Sequence, residues 1–159
     1  AALVGQGAAE EAIARIREGV AKSTGLGRPY GLAFLGEGLA WHGDRVAALA
    51  ALQEGLEIAR TSGEHGWDAE LHRLAGTVLL AENKLTEGEA SLQQALRIAQ
   101  AQQTKSLELR AARDLARLWG EQGRRTEARD LVVPVYGWFT EGFDTADLKE
   151  ARALLDQLA

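Results

Sequence analysis

Residues 71–99 read "LHRLAGTVLLAENKLTEGEASLQQALRIA". Apolar side chains recur at every third or fourth position on both sides of Asn83, and this spacing predicts two amphipathic helices. Asn83 lies between the two helices and tolerates left-handed backbone, so it can end the first helix and let the chain reverse. The segment therefore predicts an antiparallel pair of helices.

The same pattern recurs forty residues before and forty residues after this segment. Small residues coincide with small residues, large apolar residues with large apolar residues, and turn formers with turn formers. The matching columns are Gly36/Gly76/Ala116, Ala48/Gly88/Ala128, Leu52/Leu92/Val132, Leu39/Leu79/Trp119 and Gly43/Asn83/Gly123. Because repetition at a period of about 20–50 residues is typical of repeat proteins, we expect three stacked helix pairs.

Two further segments complete the expected all-α fold of about eight helices. Residues 8–22 resemble the second helix of a pair, and residues 145–158 form an amphipathic helix suited to cap the stack. We expect one domain over 1–159, with a half-repeat at 8–27, repeats at 28–66, 67–104 and 105–143, and a capping helix at 144–159. The helices are expected at 8–22, 28–42, 44–62, 67–82, 85–103, 105–122, 125–141 and 145–158.

Composition narrows the class of protein. The chain has 159 residues, no cysteine and a net charge of −5. Without cysteine, disulfides, thiolate metal sites and a cysteine nucleophile are excluded. The negative net charge argues against general nucleic-acid binding, because phosphate contacts need a basic surface. No apolar run approaches the roughly 20 residues that span a membrane, so we expect a cytoplasmic protein with neither nucleic acid nor membrane as its partner.

The sequence carries no catalytic or cofactor motif that we recognise. It contains neither a G-x-x-x-x-G-K-[ST] phosphate loop nor an H-E-x-x-H zinc motif. The glycine-rich "GLGRPYG" at 25–31 is interpreted as a loop between helices, and His72 as a histidine at the edge of the core. Glu87 and Glu89 are interpreted as solvated surface charges. We therefore expect no enzymatic activity, no cofactor and no metal.

The repeat columns resemble the tetratricopeptide repeat, whose signature is W-x2-L-G-x2-Y followed by A-x3-F. The matching residues are Leu32-x2-Leu35-Gly36-x2-Leu39 with Ala48-x3-Leu52, His72-x2-Ala75-Gly76-x2-Leu79 with Gly88-x3-Leu92, and Ala112-x2-Leu115-Ala116-x2-Trp119 with Ala128-x3-Val132. The period of forty exceeds the usual period of about 34 and implies longer helices. The resemblance implies a right-handed superhelix of antiparallel helix pairs that binds another protein or a peptide.

The C-terminal third, which contains "LELRAA", "QGRRTEAR" and "DLKEARALL", resembles the closing segment of large bacterial signalling proteins. Those proteins place a class III adenylate or guanylate cyclase domain, or a DNA-binding domain, before an ATPase module and a tetratricopeptide-type tail. This resemblance, together with a first residue other than Met, leads us to expect a C-terminal region of a longer chain. Its partner would then include other domains of the parent protein. The chain carries no cyclase or ATPase motif, so neither activity follows from the resemblance.

A candidate groove follows from the first helix of each pair. Arg110, Arg113 and Arg117 recur at spacings of three and four and therefore share one helix face. The corresponding columns hold Glu70, Arg73 and Thr77 in the second repeat, and Tyr30, Ala33 and Glu37 in the first. Because first helices line the concave side of such a stack, we expect these columns and Trp41 to line a peptide-binding groove.

Two interpretations of the arginines stay open. They can bind a carboxylate-rich peptide through bidentate hydrogen bonds, which makes an acidic partner the functional hypothesis. Alternatively they are solvated and pair with Glu70, Asp114 or Glu121 without binding a partner.

Two other segments also allow alternatives. "YGWFTEGFDT" at 136–145 concentrates four aromatic residues, which we interpret as a plug between the last pair and the capping helix rather than a ligand pocket. Trp138 and Phe139 are expected to face that helix. The half-repeat at 8–22 leaves an apolar face uncovered, so formation of a homodimer is the alternative function.

Overall fold

The computed structural model describes residues 2–25 and 27–159, and within the first helix it describes the side chains of residues 7, 8 and 10–22. Ala1 and Leu26, which fall inside the expected domain boundaries, lie outside the described residues. The described residues form eight α-helices and no β-strand, so the predicted all-α class is confirmed. The helices are α1 (Ala2–Lys22), α2 (Gly27–His42), α3 (Arg45–Ser62), α4 (Asp68–Ala81), α5 (Leu85–Ala101), α6 (Lys105–Glu121), α7 (Arg125–Tyr136) and α8 (Ala146–Leu158), with a 3-10 turn at His65–Trp67.

Each helix packs against the next one in sequence, and a second set of contacts joins alternate helices. Helix α4 contacts both α2 and α6, and α6 also contacts α8. Helices α2, α4, α6 and α8 therefore form a continuous row, which we call the inner row. This arrangement is that of a repeat-like stack of helix pairs.

Small residues of the repeat columns mark the points where the two helices of a pair approach closely. A Cβ placed on Gly36 would lie 2.6 Å from Leu52 Cδ2, and one placed on Gly76 would lie 2.8 Å from Leu92 Cγ. No real Cβ fits at such distances, so these positions require glycine to keep the present helix spacing. The leucines opposite them are fully buried and fill the space between the helices.

The column of turn formers behaves as predicted. Gly43, Asn83 and Gly123 all adopt positive φ values, of 91°, 61° and 81°. Each follows the first helix of a pair and lets the chain reverse within a few residues, as left-handed backbone does at helix ends. The reversal brings the second helix of the pair back against the first.

The apolar core runs through the stack rather than forming one central ball. One cluster joins α1 to α4 and another joins α6 to α8. Leu92, Leu115 and Leu118 form a smaller cluster between them. A core distributed in this way is expected when each helix pair contacts only its neighbours.

Two predicted helix boundaries and the predicted loop at 25–31 are wrong. Helix α1 begins at Ala2 instead of residue 8, and α2 begins at Gly27, so much of the predicted loop at 25–31 is helical. Pro29 fits there because N–H groups in the first turn have no helical acceptor. Helix α7 ends at Tyr136 instead of residue 141. Pro134 explains this, because it has no N–H to donate and its ring crowds the carbonyl one turn earlier.

Within the described residues, no helix combines the length and the apolar character needed to cross a membrane.

Candidate functional site

An open groove of about 530 Å³ lies along the inner row and reaches the start of α8. It is lined by Tyr30, Ala33, Phe34, Glu37, Trp41, Trp67, Glu70, Arg73, Leu74, Arg110, Arg113, Asp147 and Glu150. Eight of the ten residues predicted to line the groove, which are nine column residues and Trp41, are in this set. The other two, Thr77 and Arg117, line a neighbouring depression with Leu85 and Glu121.

One end of the groove, the aromatic half, consists of Tyr30, Phe34, Glu37, Trp41 and Trp67. The four residues from α2 follow one another at spacings of four, three and four, so they share one helix face. Trp67 comes from the 3-10 turn and packs on Tyr30, with the ring centroids 4.4 Å apart. Phe34 meets Tyr30 edge-to-face at 4.6 Å. These contacts fix the directions of the three rings.

The aromatic half leaves a large apolar surface in contact with solvent. Trp41 is 88% exposed, Phe34 45% and Tyr30 43%. Single exposed apolar side chains are ordinary on a protein surface, but several in one concavity mark an interaction site. Tyrosine and tryptophan are also the residues that most often carry the binding energy of protein interfaces.

The other end of the groove, the ionic half, is built around Arg73. Its Nε and Nη2 donate to the two carboxylate oxygens of Glu70 at 2.8 and 2.7 Å, and its Nη1 donates to Asp114 at 2.6 Å. Arg73 is only 8% exposed, and Asp114 is also buried. A bidentate pair of this kind fixes both side chains in one geometry.

Arginines of α6 connect this pair to the capping helix. Arg110 donates to Asp147 at 2.7 Å and to Glu70 at 3.3 Å. Arg113 pairs with Glu150 at 2.8 Å and donates to Asp147 at 3.3 Å. The ionic half therefore joins α4, α6 and α8 in one network of alternating charges.

The pKa of Arg73 reflects two opposing effects, burial of the guanidinium and its pairing with carboxylates. Burial by itself disfavours the guanidinium and lowers the pKa of Arg73, but the hydrogen bonds and charges of Glu70 and Asp114 outweigh burial and raise it. The same balance, with Asp147 as the main partner, raises the pKa of Arg110. Both side chains stay charged and engaged with carboxylates of the same chain.

The structure therefore decides part of the question that the sequence left open. The arginines do pair with Glu70 and Asp114, as one interpretation expected. The expectation that they are solvated is wrong for Arg73 and for Arg113, which are 8% and 7% exposed. Arg117 is the exposed member and approaches Asp114 at 3.7 Å.

Sequence reasoning missed four important residues of the groove. Phe34 lies one helical turn after Tyr30, and that spacing was a usable signal. Trp67 precedes α4 and belongs to no repeat column. Asp147 and Glu150 lie on the capping helix, where the forty-residue period no longer applies.

The aromatic segment after Pro134 divides into two parts. Tyr136 and Phe139 pack against the cluster that joins α6 to α8, which supports the predicted plug. Trp138 instead is 59% exposed, so its expected contact with the capping helix is wrong. The early end of α7 turns Trp138 away from the helical column that the prediction had assumed.

The outward face of α1 is polar where its side chains are described. Ile13 and Val20 are buried, whereas Glu11 pairs with Arg15 at 2.6 Å on the exposed side. A second exposed pair joins Glu18 and Lys22. Among the described side chains of α1, none is a large exposed apolar residue.

The described residues contain no group of three or more histidine, aspartate and glutamate side chains placed to hold a metal ion. No protein-family model matches this chain, and no curated protein matches its sequence.

Proposed function

We propose that this chain is a non-enzymatic interaction scaffold whose groove binds a peptide segment of another protein or of another domain in the same parent protein. The observation that carries the proposal is the concave cluster of exposed aromatic side chains on the inner row. Tyr30, Phe34 and Trp41 offer a rigid apolar surface at the place where the repeat geometry creates a concavity. Binding removes that surface from water, and its release from water favours association.

The groove has dimensions that suit side chains of a peptide. Its volume of about 530 Å³ lies within the range of about 300–1,000 Å³ that ligand sites occupy. The apolar cluster that joins α1 to α4 holds α2, which carries the exposed rings, against α4, so the binding surface is formed before the partner arrives. A preformed surface avoids part of the ordering cost of binding.

The ionic half supports a structural role for its charges more than a catalytic one. A catalytic pair of carboxylates needs two environments that separate the pKa values of the pair. Here Glu70 and Asp147 both accept hydrogen bonds from guanidinium groups. Carboxylates paired in this way join neighbouring helices, which is a structural role.

The repeat also supports a proposal about the geometry of the fold and the kind of parent protein. A period of forty residues, small residues at helix contacts and an inner row of helices favour a tetratricopeptide-like right-handed superhelix. We further propose a cytoplasmic scaffold in a bacterial signalling protein, in accord with the resemblance of the C-terminal third and with a sequence that contains no cysteine. Homodimer formation through α1 is the less favoured alternative, because paired charges occupy the described part of its outward face.

Peptides selected from a random display library on the immobilised chain test this proposal. Trp41→Ala and Tyr30→Ala should each lower the affinity for the selected peptides by roughly thirtyfold, which is the usual effect of removing an interface hot spot of about 2 kcal/mol. Trp138→Ala is the matched control, because it removes another exposed tryptophan outside the groove. Failure to select any binder, or selection of peptides that all three variants bind equally well, would contradict the proposal.

A further inference from the structure

The charges that line the groove do not favour an acidic ligand. Four carboxylates line it against three guanidinium groups. All three arginines already contact carboxylates of this chain, and two of them are buried. A carboxylate-rich peptide would have to separate these pairs, and it would leave carboxylates of the protein without partners.

Glu37 stands apart from this network. It lies on the α2 face that carries Tyr30, Phe34 and Trp41, and it is partly buried in the groove. Among the described residues, no cationic side chain lies within ion-pair distance of its carboxylate. The aromatic half therefore contains one negative charge that this chain does not neutralise.

A carboxylate among aromatic rings is a favourable environment for a cation. Ring faces are negative and attract a guanidinium or ammonium group placed over them. Arginine also stacks its planar group on aromatic side chains while it pairs with a carboxylate. Its apolar stem can cover the exposed rings.

We propose that the aromatic half binds an arginine or lysine side chain of a basic peptide segment, with Glu37 as the counter-charge and the cation between the rings of Phe34 and Trp41. This proposal rests on the proposed function, since it names the chemical class of the peptide that the groove takes. It replaces the acidic partner expected from the arginine columns. The reason is that the arginines of the groove pair with carboxylates of this chain, whereas among the described residues Glu37 has no cationic partner.

Three labelled peptides of equal length test the proposal by fluorescence anisotropy. Each has a glycine–serine backbone with three variable positions, filled with arginine, with citrulline or with glutamate. Citrulline has nearly the shape of arginine but no charge. The arginine peptide should bind at least roughly tenfold more tightly than the citrulline peptide, a difference in the range of a desolvated cation–π contact plus an ion pair. The glutamate peptide should bind most weakly.

Glu37→Gln should remove most of the preference for arginine over citrulline, and Trp41→Ala should weaken the arginine peptide by roughly three- to tenfold. Glu141→Gln and Trp138→Ala change an exposed carboxylate and an exposed indole outside the groove. These two variants should leave unchanged both the preference for arginine over citrulline and the affinity for the arginine peptide. Equal binding of the arginine and citrulline peptides overturns the proposal, as does tighter binding of the glutamate peptide or an unchanged preference in Glu37→Gln.

The two proposals fail in different ways. If library peptides bind the groove but show no preference for a cation, the cationic ligand is wrong and the scaffold function stands. If neither library peptides nor the arginine peptide bind the groove, both proposals are wrong.

Discussion

Arg110 on α6 donates a hydrogen bond of 3.3 Å to Glu70 on α4, forty residues earlier in the chain. The two residues occupy equivalent positions of successive helix pairs, so their contact shows that α6 is stacked directly beside α4. Arg73 and Asp114 make a shorter contact of 2.6 Å across the same two helices. In the groove, therefore, the stacking of the repeats is accompanied by ion pairs between neighbouring helices of the inner row.

Asp114 is expected to be the charge whose loss costs most stability. Asp114→Asn leaves the buried Arg73 and Arg113 with one fewer carboxylate partner each, and loss of a hydrogen bond to a charged group costs about 1.5–3 kcal/mol of unfolding free energy. Asp156→Asn is the control, because it breaks an exposed pair with Arg152 worth at most about 1 kcal/mol. Urea unfolding followed by circular dichroism measures both, and equal losses would contradict a structural role for Asp114.

Gly76 tests the close approach of α4 and α5. In Gly76→Ala the added methyl group would lie 2.8 Å from Leu92 Cγ, so the leucine or a helix must move, at a cost of about 1–3 kcal/mol. Gly19→Ala is the matched control in a helix, because its Cβ would meet no atom within 4 Å. There alanine should stabilise the chain by up to about 1 kcal/mol. The melting temperature should therefore fall in Gly76→Ala and rise in Gly19→Ala.

Much of the fold follows from the sequence, because the contacts that set it are periodic. Gly76 and Leu92 belong to columns that recur every forty residues, and both lie where that periodicity placed them. The positive φ of Asn83 was likewise readable from a column that holds glycine in the other repeats. Each of these features depends on local spacing and side-chain size.

The candidate site was less predictable because half of its chemistry is not periodic. The columns brought Arg110 and Arg113 to the groove, but their partners Asp147 and Glu150 come from the capping helix. No spacing rule relates that helix to the repeats, so the sequence did not show that Asp147 and Glu150 pair with these arginines. Trp67 was not predicted either, because it lies in a turn between helices and belongs to no repeat column.

Asp147 is expected to hold the capping helix in place. Its carboxylate accepts hydrogen bonds from Arg110 and Arg113, so Asp147→Ala should increase hydrogen exchange in α8 more than in α4 or α5. Asp147 also lies in the first turn of α8 and interacts with the helix dipole. Arg110→Gln removes one of these pairs without changing α8, so it should produce a similar local increase. Unchanged exchange of α8 in both variants would contradict this role.

His72 should make the chain less stable in mild acid. Burial lowers its pKa, and Asp68 only partly opposes that effect. The unfolded chain therefore binds a proton first as pH falls below about 6.5, so stability is full above that value and decreases as pH approaches the lower pKa of the folded state. His72→Gln should lose less stability between pH 7.5 and pH 5.5 than the unmodified chain. Urea unfolding at the two pH values measures the difference, and an equal or larger loss in His72→Gln would contradict it.

The most direct test of the account is to map where a bound peptide lies. The tightest peptide from the display library is synthesised with a photoreactive residue, cross-linked to the intact chain and located by mass spectrometry. We expect cross-links to the inner row, concentrated at Tyr30, Phe34, Trp41 and Trp67. Cross-links confined to α3, α5 and α7 would show that the groove is not the binding surface.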